Sequence, residues 1–245
     1  VALNISSPID KARPFGNFHG GKRDFMLRDA VKGTPLWGAY MTDIIKFHPE
    51  VNSTAVLRYF NKNPQELKSH FDHFKQEITD LVEQYKIGGV MFLQGGPVRQ
   101  ANFTNSLQEH SKVPLMIAID AEWGVAMRLD SAMRFPWQMT LGAIEDTTLI
   151  YDMGVEVARQ CKLLGIHINF APVVDVNSNP ENPIINNRSF GENPEKVGRM
   201  GVAYMKGMQD NNVLACAKHF PGHGDTDADS HKTLPVVNHL RYRLE

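Results

Sequence analysis

The chain has 245 residues, of which 42% are hydrophobic and 22% are charged. This balance is typical of a folded globular domain and excludes a disordered or fibrous segment. The formal net charge of −1 and the lack of a long basic run argue against binding to nucleic acid or anionic lipid, and no apolar stretch approaches the roughly 20 residues that a membrane span needs.

Residues 1–60 show no sustained period of 2 or 3.6, so we predict an irregular lead-in there and a catalytic domain over residues 61–245. Apolar residues recur at helical spacing from Pro64 to Tyr85, which predicts a helix. The pair Gly88-Gly89 ends this helix before a buried strand at 90–93.

The same alternation of helix and strand continues along the rest of the chain. The predicted elements are a strand at 114–120, a helix at about 146–164, a strand at 167–174, a helix from Pro194 to about Asp210, and a strand at 213–217. Strands that are apolar on both faces and are separated by helices predict an α/β fold with a parallel sheet and right-handed crossovers.

Polar residues directly follow three of these strands: Asp120, Asp175 and the pair Lys218-His219. The carboxyl ends of parallel strands share one face, and polar groups after strand upon strand favour the mouth of a (β/α)8 TIM-type barrel over the single crevice of an open sheet. Such a barrel needs about 250 residues, and few strands are evident. We therefore expect an incomplete barrel that lacks its C-terminal strands.

The segment 218–235, which we call the histidine loop, contains the densest chemical signal. Lys218 and His219 can donate hydrogen bonds to the hydroxyls of a neutral ligand. Asp229 and His231 lie two residues apart, and a carboxylate bonded to one imidazole nitrogen leaves the other nitrogen able to exchange a proton near neutral pH. This pair predicts a general acid/base.

A second cluster contains Asp120, Glu122, Trp123 and Arg128. Carboxylates accept bonds from adjacent sugar hydroxyls, arginine donates in a fixed fork, and tryptophan offers an apolar face. The alternative is that Glu122 and Arg128 form only a salt bridge within the loop. A third cluster, at 186–191, can bring Arg188 to the same mouth or be a plain solvated loop.

The histidine loop holds residue types that bind zinc or iron, namely His219, His223, Asp225, Asp229 and His231, but their spacing matches no strong metal motif, so we predict neither metal nor cofactor.

The two cysteines, Cys161 and Cys216, lie in an apolar-periodic helix and an apolar strand, which predicts buried free thiols.

Five motifs together resemble the catalytic barrel of glycoside hydrolase family 3, and most closely its bacterial β-N-acetylglucosaminidase branch. They are Ile87-Gly88-Gly89-Val90, Ile119-Asp120-x-Glu122-x-Gly124, the segment from Asn169 to Val176, Arg188-Ser189-Phe190-Gly191, and the histidine loop up to Pro235. The resemblance departs from the family where residues 1–60 show no first strand and where Trp123 replaces the glycine of many members.

The resemblance implies roles for seven residues. Those that would hold the N-acetylglucosamine ring are Asp120, Arg128, Arg188, Lys218 and His219, while His231 would be the acid/base and Asp229 the carboxylate that pairs with it. It also implies retention of configuration through a covalent glycosyl-enzyme on an aspartate. We expect that aspartate on a later strand, outside this chain.

The resemblance thus predicts an enzyme that cleaves terminal β-linked N-acetylglucosamine from peptidoglycan-derived or chitin-type saccharides, with phosphorolysis as a variation. The expected partner is this carbohydrate, with a further downstream domain in the intact protein. The compartment stays open between a bacterial cell envelope and the cytoplasm. The alternatives are an inactive, truncated sugar-binding fragment and a metal-dependent barrel hydrolase.

Overall fold

The structure is a computed structural model that describes residues 62, 63, 65, 72, 76, 78–228 and 236. The chain divides into two units between Lys86 and Ile87. In the first unit the described part includes helical residues 78–83. The second unit contains the sheet. The predicted lead-in at 1–60 lies outside the described residues, and the proposed domain boundary stays a prediction.

Four parallel strands form the sheet of the second unit, in the spatial order β1-β2-β3-β4. They are β1 (Gly89–Phe92), β2 (Met116–Ile119), β3 (Ile168–Asn169) and β4 (Leu214–Ala215). Each strand pairs with the next one along the chain, and the order never reverses as it does in a doubly wound sheet. The predicted α/β class and TIM-type winding are confirmed, and the sheet in the described part is open.

Helices fill the connections between the strands. They are α1 (Pro97–His110), α2 (Gln138–Leu141), α3 (Thr147–Leu163) and α4 (Pro194–Gln209). The predicted α3 and α4 are confirmed, and each begins at a side-chain cap, since Asp146 accepts from the amide of Thr148 and Asn193 from that of Lys196.

Helix α1 was not predicted from the sequence. Its buried residues are Gln100, Thr104 and Leu107, so two of the three are polar. The apolar period that reveals an amphipathic helix is therefore missing.

Helices α3 and α4 pack closely because glycines face each other at their contact. A Cβ atom on Gly154 would lie 2.4 Å from the carbonyl oxygen of Tyr204, and one on Gly207 would lie 2.2 Å from that of Tyr151. Larger residues would force the two helices apart. This contact fixes the position of α3, which precedes β3, relative to α4, which follows β3.

Strands β3 and β4 are shorter than predicted, because regular pairing stops at Asn169 and Ala215. Pro172, which has no amide hydrogen, follows soon after β3. The two segments nevertheless stay side by side. The amide of Lys218 donates to the carbonyl of Pro172 at 3.0 Å, and the amide of Val174 donates to the carbonyl of Lys218 at 2.8 Å. This pairing places residues 173–175 next to the start of the histidine loop.

The prediction for the cysteines is half confirmed. Cys161 on α3 is buried, but Cys216 is partly exposed, so its predicted burial is wrong. Cys216 follows β4, which pairs with β3 on one side and has no further partner strand among residues 78–228. In that same stretch no helix is both long and apolar enough to cross a membrane.

Candidate active site

Asp120 is the first polar residue after β2, and its carboxylate lies between two cations. Its Oδ2 atom accepts a hydrogen bond from Nη2 of Arg128 at 2.8 Å, and its Oδ1 atom accepts one from Nζ of Lys218 at 2.8 Å. The Asp120 side chain keeps 18% of its surface exposed. It is therefore bound to the protein and still open to a ligand.

Glu122 lies two residues further on and is fully buried, with 0% of its side chain exposed. Arg188 binds it through two parallel bonds, Nε to Oε2 at 2.9 Å and Nη2 to Oε1 at 2.8 Å, and Nζ of Lys218 lies 2.8 Å from Oε1. This is the bidentate geometry for which a guanidinium is suited. The alternative of a loop salt bridge between Glu122 and Arg128 is wrong, since Arg128 bonds to Asp120 instead.

These contacts join five charged side chains into one network, which we call the ion-pair network. Its members are Asp120, Glu122, Arg128, Arg188 and Lys218. Burial raises the pKa of Asp120 and of Glu122, but the hydrogen bonds and positive charges of their basic partners outweigh it and lower both pKa values overall. Both carboxylates therefore stay ionised at neutral pH.

His219, at the start of the histidine loop, is held by the buried carboxylate of Asp175. Nδ1 of His219 lies 2.5 Å from Oδ2 of Asp175, and Nε2 of His219 lies 3.5 Å from Nη2 of Arg188. A carboxylate can only accept, so Nδ1 carries the proton. A guanidinium can only donate, so Nε2 offers its lone pair to Arg188. His219 is thus set as an acceptor beside the network.

Asp175 was placed at a strand end by the sequence but was assigned no role. Its second oxygen, Oδ1, accepts from the amide of His223 at 2.7 Å, so one carboxylate organises two points of the histidine loop. The sequence does contain an indication of this role. Asp175 directly follows one predicted apolar strand, as Lys218 follows the next, so the two residues were expected at the same edge of the sheet.

Arg188 reaches the mouth from a 3-10 turn, Asn186–Arg188. Its Nη1 donates to the carbonyl of Ile184 at 3.2 Å, which holds the guanidinium plane against Glu122. Ser189 donates from Oγ to the backbone carbonyl of Asp175 at 2.6 Å, which connects the turn to the segment that follows β3. The third cluster is therefore part of the site, and its interpretation as a plain solvated loop is wrong.

Asn182 fixes the far side of the histidine loop and was missed by the sequence analysis. It is buried, and its Nδ2 donates to the carbonyl oxygens of His223 at 2.6 Å and Thr226 at 3.0 Å. Its Oδ1 accepts from the amide of Ile185 at 2.7 Å. One side chain therefore bridges the segment carrying Arg188 and the histidine loop.

The structure brings together all five residues predicted to bind the sugar, in the network just described and in His219. Two of the five, Lys218 and His219, line a cavity of about 640 Å³ together with Asp175 and Phe220, whereas Asp120, Arg128 and Arg188 do not line it. The predicted catalytic pair, Asp229 and His231, lies outside the described residues. Within residues 78–228 no three His, Cys, Asp or Glu side chains are grouped to hold a metal ion.

The chain is similar to one family of known proteins, both in sequence and in structure. The model of the glycosyl hydrolase family 3 N terminal domain matches residues 55–245. Among curated proteins, beta-hexosaminidase A of Pseudoalteromonas piscicida is 40% identical over 181 residues, which cover 69% of this chain and 30% of that protein. The chain spans less than half the length of the curated relatives it matches first.

Solved structures give the same result. A glycoside hydrolase family 3 beta-N-acetylglucosaminidase from a Paenibacillus species aligns with a TM-score of 0.64 at 40% identity, over 68% of this chain and 33% of that one. NagZ from Neisseria gonorrhoeae, in complex with N-trifluoroacetyl-D-glucosamine, aligns with a TM-score of 0.62 at 31% identity, over 69% and 52%.

Proposed function

The chain belongs to glycoside hydrolase family 3, and from this we propose that the protein containing it cleaves terminal β-linked N-acetylglucosamine from saccharides. The names of the beta-hexosaminidase and beta-N-acetylglucosaminidase relatives support this reaction. The observation in this chain that carries the proposal is that the two acidic residues of the ion-pair network differ in exposure. Glu122 is sealed in the protein, whereas Asp120 is open to a ligand.

This difference assigns separate tasks to the two carboxylates. Asp120 accepts hydrogen bonds from two neighbouring sugar hydroxyls, as a bidentate acceptor does. Glu122 has no free surface and instead holds the cations Arg188 and Lys218 in place. Their remaining N–H groups, together with Nη1 of Arg128, then donate to the oxygens of the sugar ring substituents.

The three cations of the network face its two carboxylates, and the buried carboxylate of Asp175 adds a third negative charge close to Arg188, so little positive charge is left for an anionic ring. A neutral N-acetylated pyranose is therefore the ligand that this part of the site fits. Its hydroxyls and amide exchange hydrogen bonds with network members without adding an unbalanced charge to a partly buried site.

For the chemical step, the proposed acid/base is His231, oriented by Asp229, and the proposed mechanism retains configuration through a glycosyl-enzyme. His231 protonates the departing oxygen in the first step and deprotonates water in the second. These roles rest on the family resemblance of the histidine loop. The contacts of Asp175 with His219 and His223 support them indirectly, since they fix the start of that loop.

The test compares the product of the complete open reading frame with the 245-residue chain. We expect the complete product to release phenol from an aryl β-N-acetylglucosaminide, and proton NMR to show the β-anomer as the first product. Asp120→Asn should raise KM, and His231→Gln should lower kcat with natural saccharides. Lack of turnover of any β-N-acetylglucosaminide by the complete product would overturn the proposal.

Three controls separate the alternatives that the sequence left open. Turnover that is lost on chelation and restored by zinc indicates a metal-dependent hydrolase instead. Formation of a sugar 1-phosphate in phosphate buffer indicates phosphorolysis. Binding of N-acetylglucosamine by the 245-residue chain without turnover indicates that this segment supplies recognition and that other residues supply part of the chemistry.

A further inference from the structure

Two asparagines between β3 and α4 bind the histidine loop and are not members of the ion-pair network. Nδ2 of Asn182 donates to the carbonyl oxygens of His223 at 2.6 Å and Thr226 at 3.0 Å. Nδ2 of Asn179 donates to the same carbonyl oxygen of Thr226 at 3.1 Å. We call Asn179 and Asn182 the asparagine clamp. Two side chains thus hold two backbone carbonyls of the loop.

The side-chain amide of Asn182 has a full set of partners, although the residue is only 1% exposed. Its Oδ1 accepts from the backbone amides of Ile184 at 2.9 Å and Ile185 at 2.7 Å. Together with the two bonds from Nδ2, these use all four positions that a primary amide offers. The orientation of the amide is fixed as well, because carbonyls only accept and backbone amides only donate. The loop and the segment at 184–185 are therefore held in one relative position.

The segment that Asn182 orients is the one that supports Arg188. The carbonyl of Ile184 accepts from Nη1 of Arg188 at 3.2 Å, and the carbonyl of Ile185 accepts from the backbone amide of Arg188 at 2.7 Å. Arg188 in turn binds the buried carboxylate of Glu122. Asn182 therefore connects the guanidinium of a sugar-binding residue with the histidine loop.

The part of the histidine loop that the clamp binds is also packed against the segment that follows β3. The backbone amide of Asn179 donates to the carbonyl of Gly224 at 3.2 Å. A Cβ atom on Gly224 would lie 1.8 Å from the carbonyl oxygen of Val176. The proposed acid/base, His231, follows Thr226 by five residues along the chain. The clamp thus fixes the point from which the chain continues to the acid/base.

Resting on the proposed function, we infer that the asparagine clamp positions the acid/base for proton transfer, and that Asn182 also keeps it aligned with Arg188. A general acid must lie within hydrogen-bond reach of the departing oxygen. A misplacement of about 1 Å by a distant change can cost roughly 10²-fold in rate. The amide of Asn182 has no bond left for a sugar, so it acts through the loop and is a positioning residue.

The experiment compares a phenyl and a dinitrophenyl β-N-acetylglucosaminide as substrates for the product of the complete open reading frame. In the first step the bond from the anomeric carbon to the departing oxygen breaks, a bond to the nucleophile forms, and the acid gives its proton to that oxygen. Dinitrophenol is a strong acid among phenols, so its anion departs without this proton, whereas phenol needs it. The ratio of kcat/KM for the dinitrophenyl glycoside to that for the phenyl glycoside, here the leaving-group ratio, rises when the acid is misplaced.

Two clamp variants should raise the leaving-group ratio. In Asn182→Ala we expect a rise of about tenfold, a part of the roughly 10²–10⁴-fold that a general acid contributes. This variant should also weaken inhibition by N-acetylglucosamine, because it frees the segment that supports Arg188. Asn179→Ala removes one bond to the loop and none to that segment. It should raise the ratio by a smaller factor and leave the inhibition unchanged.

Two further variants calibrate the measurement. His231→Gln gives the largest ratio that loss of the acid can produce. Asn211→Ala is the matched control, since Nδ2 of Asn211 also donates to a backbone carbonyl, that of Gly207 on α4, at 2.9 Å. It should change neither the ratio nor the inhibition. Thermal melts check that each variant is folded.

Each result supports or overturns the inference. A ratio that stays unchanged in Asn182→Ala overturns it even where activity falls, because loss of stability lowers the turnover of both glycosides equally. An equal rise in Asn211→Ala also overturns it. If Asn182→Ala does not fold, Asn179→Ala decides in the same way. No turnover of either glycoside by the wild type overturns the proposed function together with the inference, whereas an active wild type with unchanged ratios in the clamp variants overturns the inference alone.

Discussion

Nζ of Lys218 lies 2.8 Å from Oε1 of Glu122, although all of β3 and α4 separate the two residues along the chain. Lys218 starts the histidine loop, and Glu122 lies within the turn after β2. The contact therefore joins the two sides of the site across the intervening strand. Since Glu122 is fully buried, it also connects the stability of the site to its ligand-binding geometry.

Glu122→Gln should be strongly destabilising, because it keeps the shape of the side chain but leaves Arg188 and Lys218 facing an uncharged group. Removing one partner of a buried ion pair costs about 3–5 kcal/mol of the free energy of unfolding. Urea unfolding followed by circular dichroism measures this cost. Glu145→Gln is the control, since Glu145 is an exposed partner of Lys196, and its unfolding midpoint should stay unchanged. Equal losses in both variants would contradict the prediction.

The ion-pair network should weaken in acid. Folding lowers the pKa of Asp120 and Glu122 from their ordinary values of 3.8 and 4.5. The unfolded chain therefore binds protons first as the pH falls. The stabilisation is complete above about pH 5 and is lost as the pH falls below the ordinary values and through the lowered ones. Melting temperatures between pH 7 and 3 should fall less steeply in Glu122→Gln, and parallel curves would disprove this.

Asp175→Asn should change the tautomer of His219. The amide can donate to Nδ1, which moves the ring proton to Nε2, where it faces the N–H groups of Arg188. Nitrogen NMR of labelled histidine reports the tautomer directly. His219 would then offer a donor where the wild type offers an acceptor, so we expect affinity for N-acetylglucosamine to fall about tenfold, equal to about 1.4 kcal/mol.

The control for that change is Asp210→Asn. Asp210 is exposed and accepts from the hydroxyl of Tyr151, on the opposite end of α4 from the site. Neither the His219 spectrum nor the affinity should respond. A wild-type spectrum that shows the proton on Nε2 of His219 would refute the assignment.

Gly224→Ala should distort the histidine loop, because the new Cβ atom would lie 1.8 Å from the carbonyl oxygen of Val176. Backbone cannot give way by that much without moving the loop, and overpacking of this kind costs about 1–3 kcal/mol. Gly198→Ala, at an open position on α4, should instead stabilise by about 0.5–1 kcal/mol. Thermal melts of both variants check the two signs, and stabilisation by the first would contradict the packing.

The two cysteines should react very differently with a thiol reagent. Burial raises the pKa of Cys161 to about 12, so it is both inaccessible and protonated at neutral pH. Cys216 is partly exposed. Mass spectrometry after brief alkylation of the folded chain should show modification at Cys216 first, with Cys161 reacting only after denaturation. Simultaneous modification would show that α3 does not bury its thiol.

The amino-acid sequence determined the strands, the helices α3 and α4, and the location of polar residues at strand ends. These features follow from local patterns, since burial on one or both faces imposes a period and capping residues mark helix ends. Helix α1 escaped prediction because Gln100 and Thr104 occupy its buried face. The residues Asp120, Lys218 and His219 were predicted from the rule that parallel strands share a carboxyl edge.

Only the tertiary structure decided which charges pair with which. The sequence places Glu122 near Arg128, and the fold instead pairs it with Arg188 and Lys218, which arrive from other strands. Asp175 and Asn182 hold the histidine loop through hydrogen bonds, which only the folded arrangement of distant segments shows. A hydrogen bond forms only when its donor and acceptor lie about 3 Å apart, to within a few tenths of an ångström, and no local periodicity sets that distance for atoms far apart in the chain.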